Sequence, residues 1–301
     1  MIVFTKSATV AKQRTAVSIM AVFLAGATFL PAQQSPQVDV KQLVRSMIEN
    51  ELDNSHRDQV RWMYRLQRRE GDKSTVKEVV ETKTCDIHFL LSLNGDALTP
   101  DQRQKENERL EKLVNDPEEQ RKKKHEQQED DHKAVEMFKM LPEAFLYRYG
   151  GNRGSLVELA FWPNPDFHPP SREAHVFHGM EGTMWVDAEK KRLVELDGHL
   201  AQDVEFLGGV FGHLDKGGRF TVRRSELAPG QWVVTGLIVE ITGQALIFKS
   251  INLRQTDSMS DFRRVPADLN PAQAADMLKR GSVPEVAGEL AAGDTSTRAV
   301  R

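Results

Sequence analysis

From Val40 the apolar residues Leu43, Val44, Met47, Ile48 and Leu52 recur at spacings of three and four, with Lys41, Arg45, Glu49 and Asn50 between them. This is the stripe of an amphipathic helix, predicted from about Val38 to Asn54. At Val60 the period changes to two. Trp62, Tyr64 and Leu66 alternate with Arg61, Met63, Arg65 and Gln67, and GDKS then reads as a hairpin turn into TVKEVVETKT. A further strand, IHFLLSL, ends at the turn dipeptide Asn94-Gly95. After a polar interruption the β signal resumes at Ala144 and runs to Pro266: FLYRY, LVELAFW, GTMWVD, RLVELDG, HLAQDVEFLGG, KGGRFTVRRSEL, QWVVTGLIVEIT and QALIFKSINL, separated by short Gly- and Pro-bearing turns. About ten antiparallel strands are expected, followed by a short helix over Pro271–Arg280 capped by Asn270.

Several of these strands carry apolar residues on both faces. In QWVVTGLIVEIT, strict alternation sends Trp232, Val234 and Ile238 one way and Val233, Leu237, Val239 and Ile241 the other. An antiparallel sheet ordinarily solvates one face, so something must cover both faces of part of this one. Two helices cover only one side of ten strands. A strongly curved sheet enclosing the rest, around either a filled core or a ligand cavity, is the arrangement that satisfies the pattern.

The interruption is of a different kind. Thr99 and Pro100 have the signature of a helix N-cap and first position, and from Asp101 to Lys133 the only large apolar residues are Leu110, Leu113 and Val114. Twenty of those 33 residues are charged, so the segment is expected to project as a solvated helical hairpin bent at Asn115, Asp116 and Pro117. The basic run Arg121–Lys124 is followed at once by EQQEDD, which cancels it as an anion-binding patch.

Composition adds the setting. The 301 residues are 39% hydrophobic and 28% charged, with a net charge of −3, which excludes wholesale disorder and a polytopic membrane protein and provides no field for nucleic acid. Lys6, Lys12 and Arg14 precede the apolar run Ala16–Leu30, and Pro31-Ala32 closes it. The run is shorter than a membrane span, so residues 1–32 are read as a secretory signal peptide cleaved near Ala32, and the mature chain as exported to a periplasm. The expected organisation is this signal peptide, a domain over 33–266 that includes the helical insertion at 97–141, and a short helix with a disordered tail over 267–301. The single cysteine, Cys85, excludes an internal disulfide and reads as a small buried hydrophobe.

The N-terminal amphipathic helix leading into YRLQRRE, and the order NGDALTP, FLYRY, LVELAFWPNP, GTMWVDAEKKRLVELDG and FGHLDKGGRFTVRRSELAPGQWVVT, resemble the LolA/LolB-like periplasmic lipoprotein carriers, and within them outer-membrane lipoprotein-sorting-like proteins. The likeness spans about Val38 to Arg264 and rests on strand order and turn positions. It implies a mainly β, α+β fold: an unclosed antiparallel half-barrel of about ten or eleven strands with covering helices and a hydrophobic cavity for acyl chains. The charged insertion departs from those compact carriers.

Candidate chemistry is sparse. His168, His175 and His178 fall close together but in a Pro-rich segment without a metal-ligand motif, and read as surface or hairpin histidines. No HExxH, GxSxG, Walker loop or GxGxxG stands in the chain. The pairs Asp187/Glu189 and Glu195/Asp197 read as solvated strand faces. The aromatic and aliphatic stripes Trp62/Tyr64, Phe89/Leu91, Phe145/Tyr147 and Leu159/Phe161 are the candidate lining of a hydrophobic cavity. The expectation is a non-enzymatic binding or carrier protein, without cofactor or metal, for a lipid or lipoprotein acyl chains. The alternative is an envelope interaction or stress-sensor protein that uses the half-barrel as scaffold and the hairpin 101–133 to contact a partner.

Overall fold

In a computed structural model, residues 39–57, 60–206, 212–245 and 249–281 are described. The expected signal peptide and the expected disordered tail beyond Gly281 lie outside those residues. The architecture is an open antiparallel half-barrel, mainly β with a few helices. Its strands are β1 Arg61–Glu70, β2 Lys73–Val80, β3 Ile87–Leu93, β4 Asp96–Ala97, β5 Phe145–Arg153, β6 Leu156–Pro163, β7 Met180–Asp187, β8 Arg192–Leu200, β9 Val204–Glu205, β10 Gly212–Leu214, β11 Arg219–Ala228, β12 Gln231–Ala245 and β13 Lys249–Val265. The helices are α1 Val40–Arg57, α2 Pro100–Asn115, α3 Pro117–Ala144 and α4 Pro271–Gly281, with a 3-10 helix at Glu173–His178.

Local chemistry explains most boundaries. Asn94 and Gly95 both take positive φ (54° and 91°), as a tight hairpin turn between β3 and β4 requires. Thr99 caps α2 in a capping box: its hydroxyl accepts from Gln102 N while the Gln102 side chain accepts from Thr99 N at 2.9 Å. Asn270 and Gln273 repeat that reciprocal arrangement at the start of α4. Asp116 ends α2 and caps α3, its carboxylate accepting from the amides of Glu118 and Glu119.

The sheet runs β4-β3-β2-β1-β13-β12-β11-β8-β7-β6-β5, with β9 and β10 attached beside β12. Since β4 and β5 lie at opposite ends, the chain between them must travel from one free edge to the other. The charged insertion is that connection. α3, at 28 residues, is about 42 Å long. Its middle, from Lys124 to Ala134, is exposed, but both of its ends and the whole of α2 are engaged. Leu110 and Leu113 of α2 are buried against Ile87, Phe89, Leu269, Ala274 and Leu278, and the C-terminal Met137, Phe138 and Leu141 of α3 pack with α1 and β5. The expected solvated projection is therefore corrected: α2 is a structural cover, and only the middle of α3 is solvated.

Register shows why both sheet faces carry apolar residues. The row Leu196–Val222–Leu237–Asp257–Arg68 crosses β8, β11, β12, β13 and β1 on one face. α1, the end of α3 and the 3-10 helix bury the β5–β8 part of this face, with Phe145, Leu159, Phe161, Met184 and Leu196 at its core. Met63, Val80, Ile87 and Phe89 belong to the opposite face, which α2 and α4 bury at the β1–β3 end together with Cys85. The helices thus cover opposite faces at opposite ends of the sheet. Between them lies a stretch of the α1 face formed by β11, β12, β13 and β1.

Candidate functional site

That stretch is built from β12. Between Arg223/Arg224 of β11 and Gly236/Val234 of β12 the register slips, leaving Thr235 as a bulge whose hydroxyl turns to the carbonyl of Arg223. The bulge reverses the alternation expected for this strand. Trp232 and Val234 come onto the same face as Leu237, Val239 and Ile241, while Val233 and Ile238 take the other. Val222 and Phe220 flank these residues from β11 and Leu253 from β13, giving a continuous apolar strip. Leu237, Val239 and Ile241 are half-buried, and Val234 and Leu253 are 39% and 37% exposed.

The strip has aromatic and ionic borders. Towards β1, Tyr64 stacks on Phe262 with ring centroids 5.3 Å apart, and Trp62 meets Phe262 edge-on at 6.2 Å. Burial pushes the Tyr64 hydroxyl well above its usual range, so it remains a neutral hydrogen-bonding group. Arg68 reaches Asp257 with two parallel hydrogen bonds, Nε to Oδ1 at 2.8 Å and Nη2 to Oδ2 at 2.6 Å. Gln255 adds a third bond to the same carboxylate at 2.9 Å. Towards α1, Glu51 accepts from Arg192 Nη1 at 2.5 Å and from the Leu193 amide at 3.1 Å, and also pairs with Arg224. This buried clasp fixes α1 on the sheet.

The remaining edge is closed by α2. Glu106 accepts from the Leu90 amide at 2.8 Å and Arg109 donates to the His88 carbonyl at 2.7 Å, so two side chains stand in for a neighbouring strand on β3. Burial, with Arg109 and Lys77 nearby, pushes the His88 imidazole down to about 4.

The eight residues predicted as lining are not brought together. Phe145, Leu159 and Phe161 are core beneath α1 and α3, with Tyr147 half-buried beside them and its hydroxyl bonded to the Leu141 carbonyl at 2.6 Å. Phe89 is buried on the opposite face under α2 and α4, and Leu91 packs beside it. Trp62 and Tyr64 alone border the strip. The residues that compose it, Val222, Leu237, Val239, Ile241 and Leu253, were present in the sequence as alternating aliphatics. The bulge that aligns Val234 with them is marked locally only by Gly236, which sits beside Thr235 inside an otherwise aliphatic strand.

Other candidates resolve differently. Asp187 is buried rather than on a solvated face: its carboxylate organises the β7–β8 turn by accepting from the amides of Glu189 and Lys190. Glu195 and Asp197 do share a solvated face, paired with Arg223 and Arg219. His175 and His178 sit on the 3-10 helix with rings 6.2 Å apart, and among the described residues no group of three or more His, Cys, Asp or Glu is arranged to hold a metal. A polar cleft of about 240 Å³ lies between the β2–β3 loop and α3, lined by Arg61, Glu81, Asp86, Lys124, Gln127 and Asp131 among others. Among the described residues no helix is long and apolar enough to cross a membrane.

Comparison with protein-family models finds none that matches, and neither curated proteins nor solved structures provide a match. The likeness to lipoprotein carriers therefore rests on strand order and turn positions in this sequence alone.

Proposed function

We propose that this chain is an exported, non-enzymatic binding or carrier protein for a hydrophobic acylated ligand, held against the α1 face of the central strands. The observation that carries the reading is the apolar strip on β11–β13, which continues the face buried by α1 and leaves Val234 and Leu253 open to solvent. A soluble protein gains by covering such a surface, and an acyl chain does so without polar recognition. At ~0.8 kcal/mol per buried CH₂, a chain of about a dozen carbons gains roughly 10 kcal/mol gross, enough to survive the entropic cost of association at useful affinity. Native mass spectrometry of protein purified from the periplasm is expected to show adducts of lipid mass released by collisional activation. A homogeneous ligand-free species under gentle conditions would count against the reading.

A further inference from the structure

The strip ends at a cation that makes no ion pair among the described residues. Lys77 of β2 is in register with Leu66 of β1, and Leu66 with Met259 of β13, which places Lys77 on the α1 face beside Arg68. Three arginines on this face have carboxylates: Arg192 and Arg224 share Glu51, and Arg68 holds Asp257. At the sheet edge Arg109 holds Glu106. Lys77 is half-buried and makes no ion pair among the described residues. Burial, then the charges of Arg68 and Arg109, push its ammonium below the usual lysine range, while Glu106 and Asp257 oppose that only in part. His88, on the same face two residues from the Lys77 partner Leu90, is neutral and supplies no competing charge. A partly desolvated ammonium costs folding free energy that an incoming anion recovers.

We propose that the ligand is a long-chain fatty acid, its carboxylate received by the Lys77 ammonium and its acyl chain laid along the strip towards Val222. The proposal rests on the reading of the strip as the binding face, and it adds the headgroup. From β2 to β11 there are four interstrand steps, about 19 Å, a span that a chain of more than a dozen carbons fills. Charge complementarity selects the class. A neutral acyl ester or alcohol covers the same apolar surface but leaves Lys77 unpaired, whereas a carboxylate makes a charge-assisted hydrogen bond in a partly desolvated place.

The test is displacement of fluorescent cis-parinaric acid from the purified protein by hexadecanoate or by hexadecanol, each below its aggregation limit, in the parent and in Lys77→Met and Lys77→Arg. The expected result is that the parent prefers the acid over the alcohol by about ten-fold or more, that Lys77→Met loses this preference while still binding the alcohol, and that Lys77→Arg retains it. Ligand-free Lys77→Met is expected to melt no lower than the parent. Equal affinity of the parent for acid and alcohol, or an unchanged preference in Lys77→Met, would overturn the headgroup assignment and leave the apolar strip standing. Absence of binding by either compound would overturn the strip itself. A lower melting temperature for ligand-free Lys77→Met would show that the ammonium already has its counter-charge inside the protein, which also defeats the proposal.

Discussion

Replacing Leu110 by Ala tests whether the charged insertion belongs to the fold. Leu110 is fully buried between α2, β3 and α4, among Ile87, Phe89, Leu113 and Leu278. Truncation at such a site removes transfer free energy and leaves a cavity, for about 3 kcal/mol within a range of 2–5. In a domain of this size each kcal/mol moves the melting temperature by about 2–4 °C, so the expected fall is roughly 6–12 °C. Glu126→Ala, on the exposed middle of α3, serves as the control and is expected to stay within about 0.5 kcal/mol of the parent. Differential scanning calorimetry or circular dichroism melts read both. If Leu110→Ala melted with the parent, α2 would not be packed on β3 and α4, and the insertion would be the free projection that its charge suggests. Replacement of 101–133 by a short linker is expected to cost more than Leu110→Ala, because it also removes Leu113 and the Glu106–Arg109 cover of the β3 edge.

Three further outcomes follow from other sites. Glu51→Ala strands two arginines and the Leu193 amide in a buried place, and urea unfolding is expected to show a loss of about 3–5 kcal/mol; a loss under 1 kcal/mol would mean that α1 is held by its apolar face alone. His88 has a folded pKa depressed from 6.5 to about 4, so the unfolded chain binds the extra proton between those values and stability falls as pH drops through that window, by on the order of 3 kcal/mol. His88→Gln should flatten that part of the stability profile, and an unaltered slope would show that the imidazole is not desolvated as described. At Gly182 a Cβ would stand 2.0 Å from the Asp197 carbonyl oxygen, so Gly182→Ala must part β7 from β8 and is expected to cost more than 3 kcal/mol in the same unfolding assay, or to abolish soluble expression; a melt indistinguishable from the parent would refute that close approach.

Much of the architecture was legible because its signals are local. Period-two patterns, the Asn94-Gly95 turn and the Thr99 and Asn270 caps each depend on residues a few positions apart, and each marks an element of the structure. What was not legible depends on partners far along the chain. Glu106, Leu110, Leu113 and Val114 form a helical stripe, but a narrow one among charged neighbours, and only the presence of β3 and α4 turns it into a packing face. The Arg68–Asp257 pair joins residues 189 apart in sequence, so neither looked different from any exposed strand charge. The bulge at Thr235 changed the face of Trp232 and Val234, and the only local sign of it is Gly236 beside it. The candidate site suffered most, since large aromatics such as Phe89, Phe145 and Phe161 attract attention as a lining, yet their size is what makes them core. The strip is made instead of ordinary aliphatics, distinguished by the fact that no helix among the described residues covers them.

The central claim is that the uncovered strip on β12 and β13 binds an acyl chain. Leu253 lies on it and is already 37% exposed, so Leu253→Asp should leave the ligand-free fold intact while placing a carboxylate against the bound chain. Titration with cis-parinaric acid is expected to show saturable fluorescence enhancement with the parent and at least ten-fold weaker binding with Leu253→Asp, at matched melting temperatures. Equal binding by the two proteins, or no saturable binding by the parent, would contradict the account.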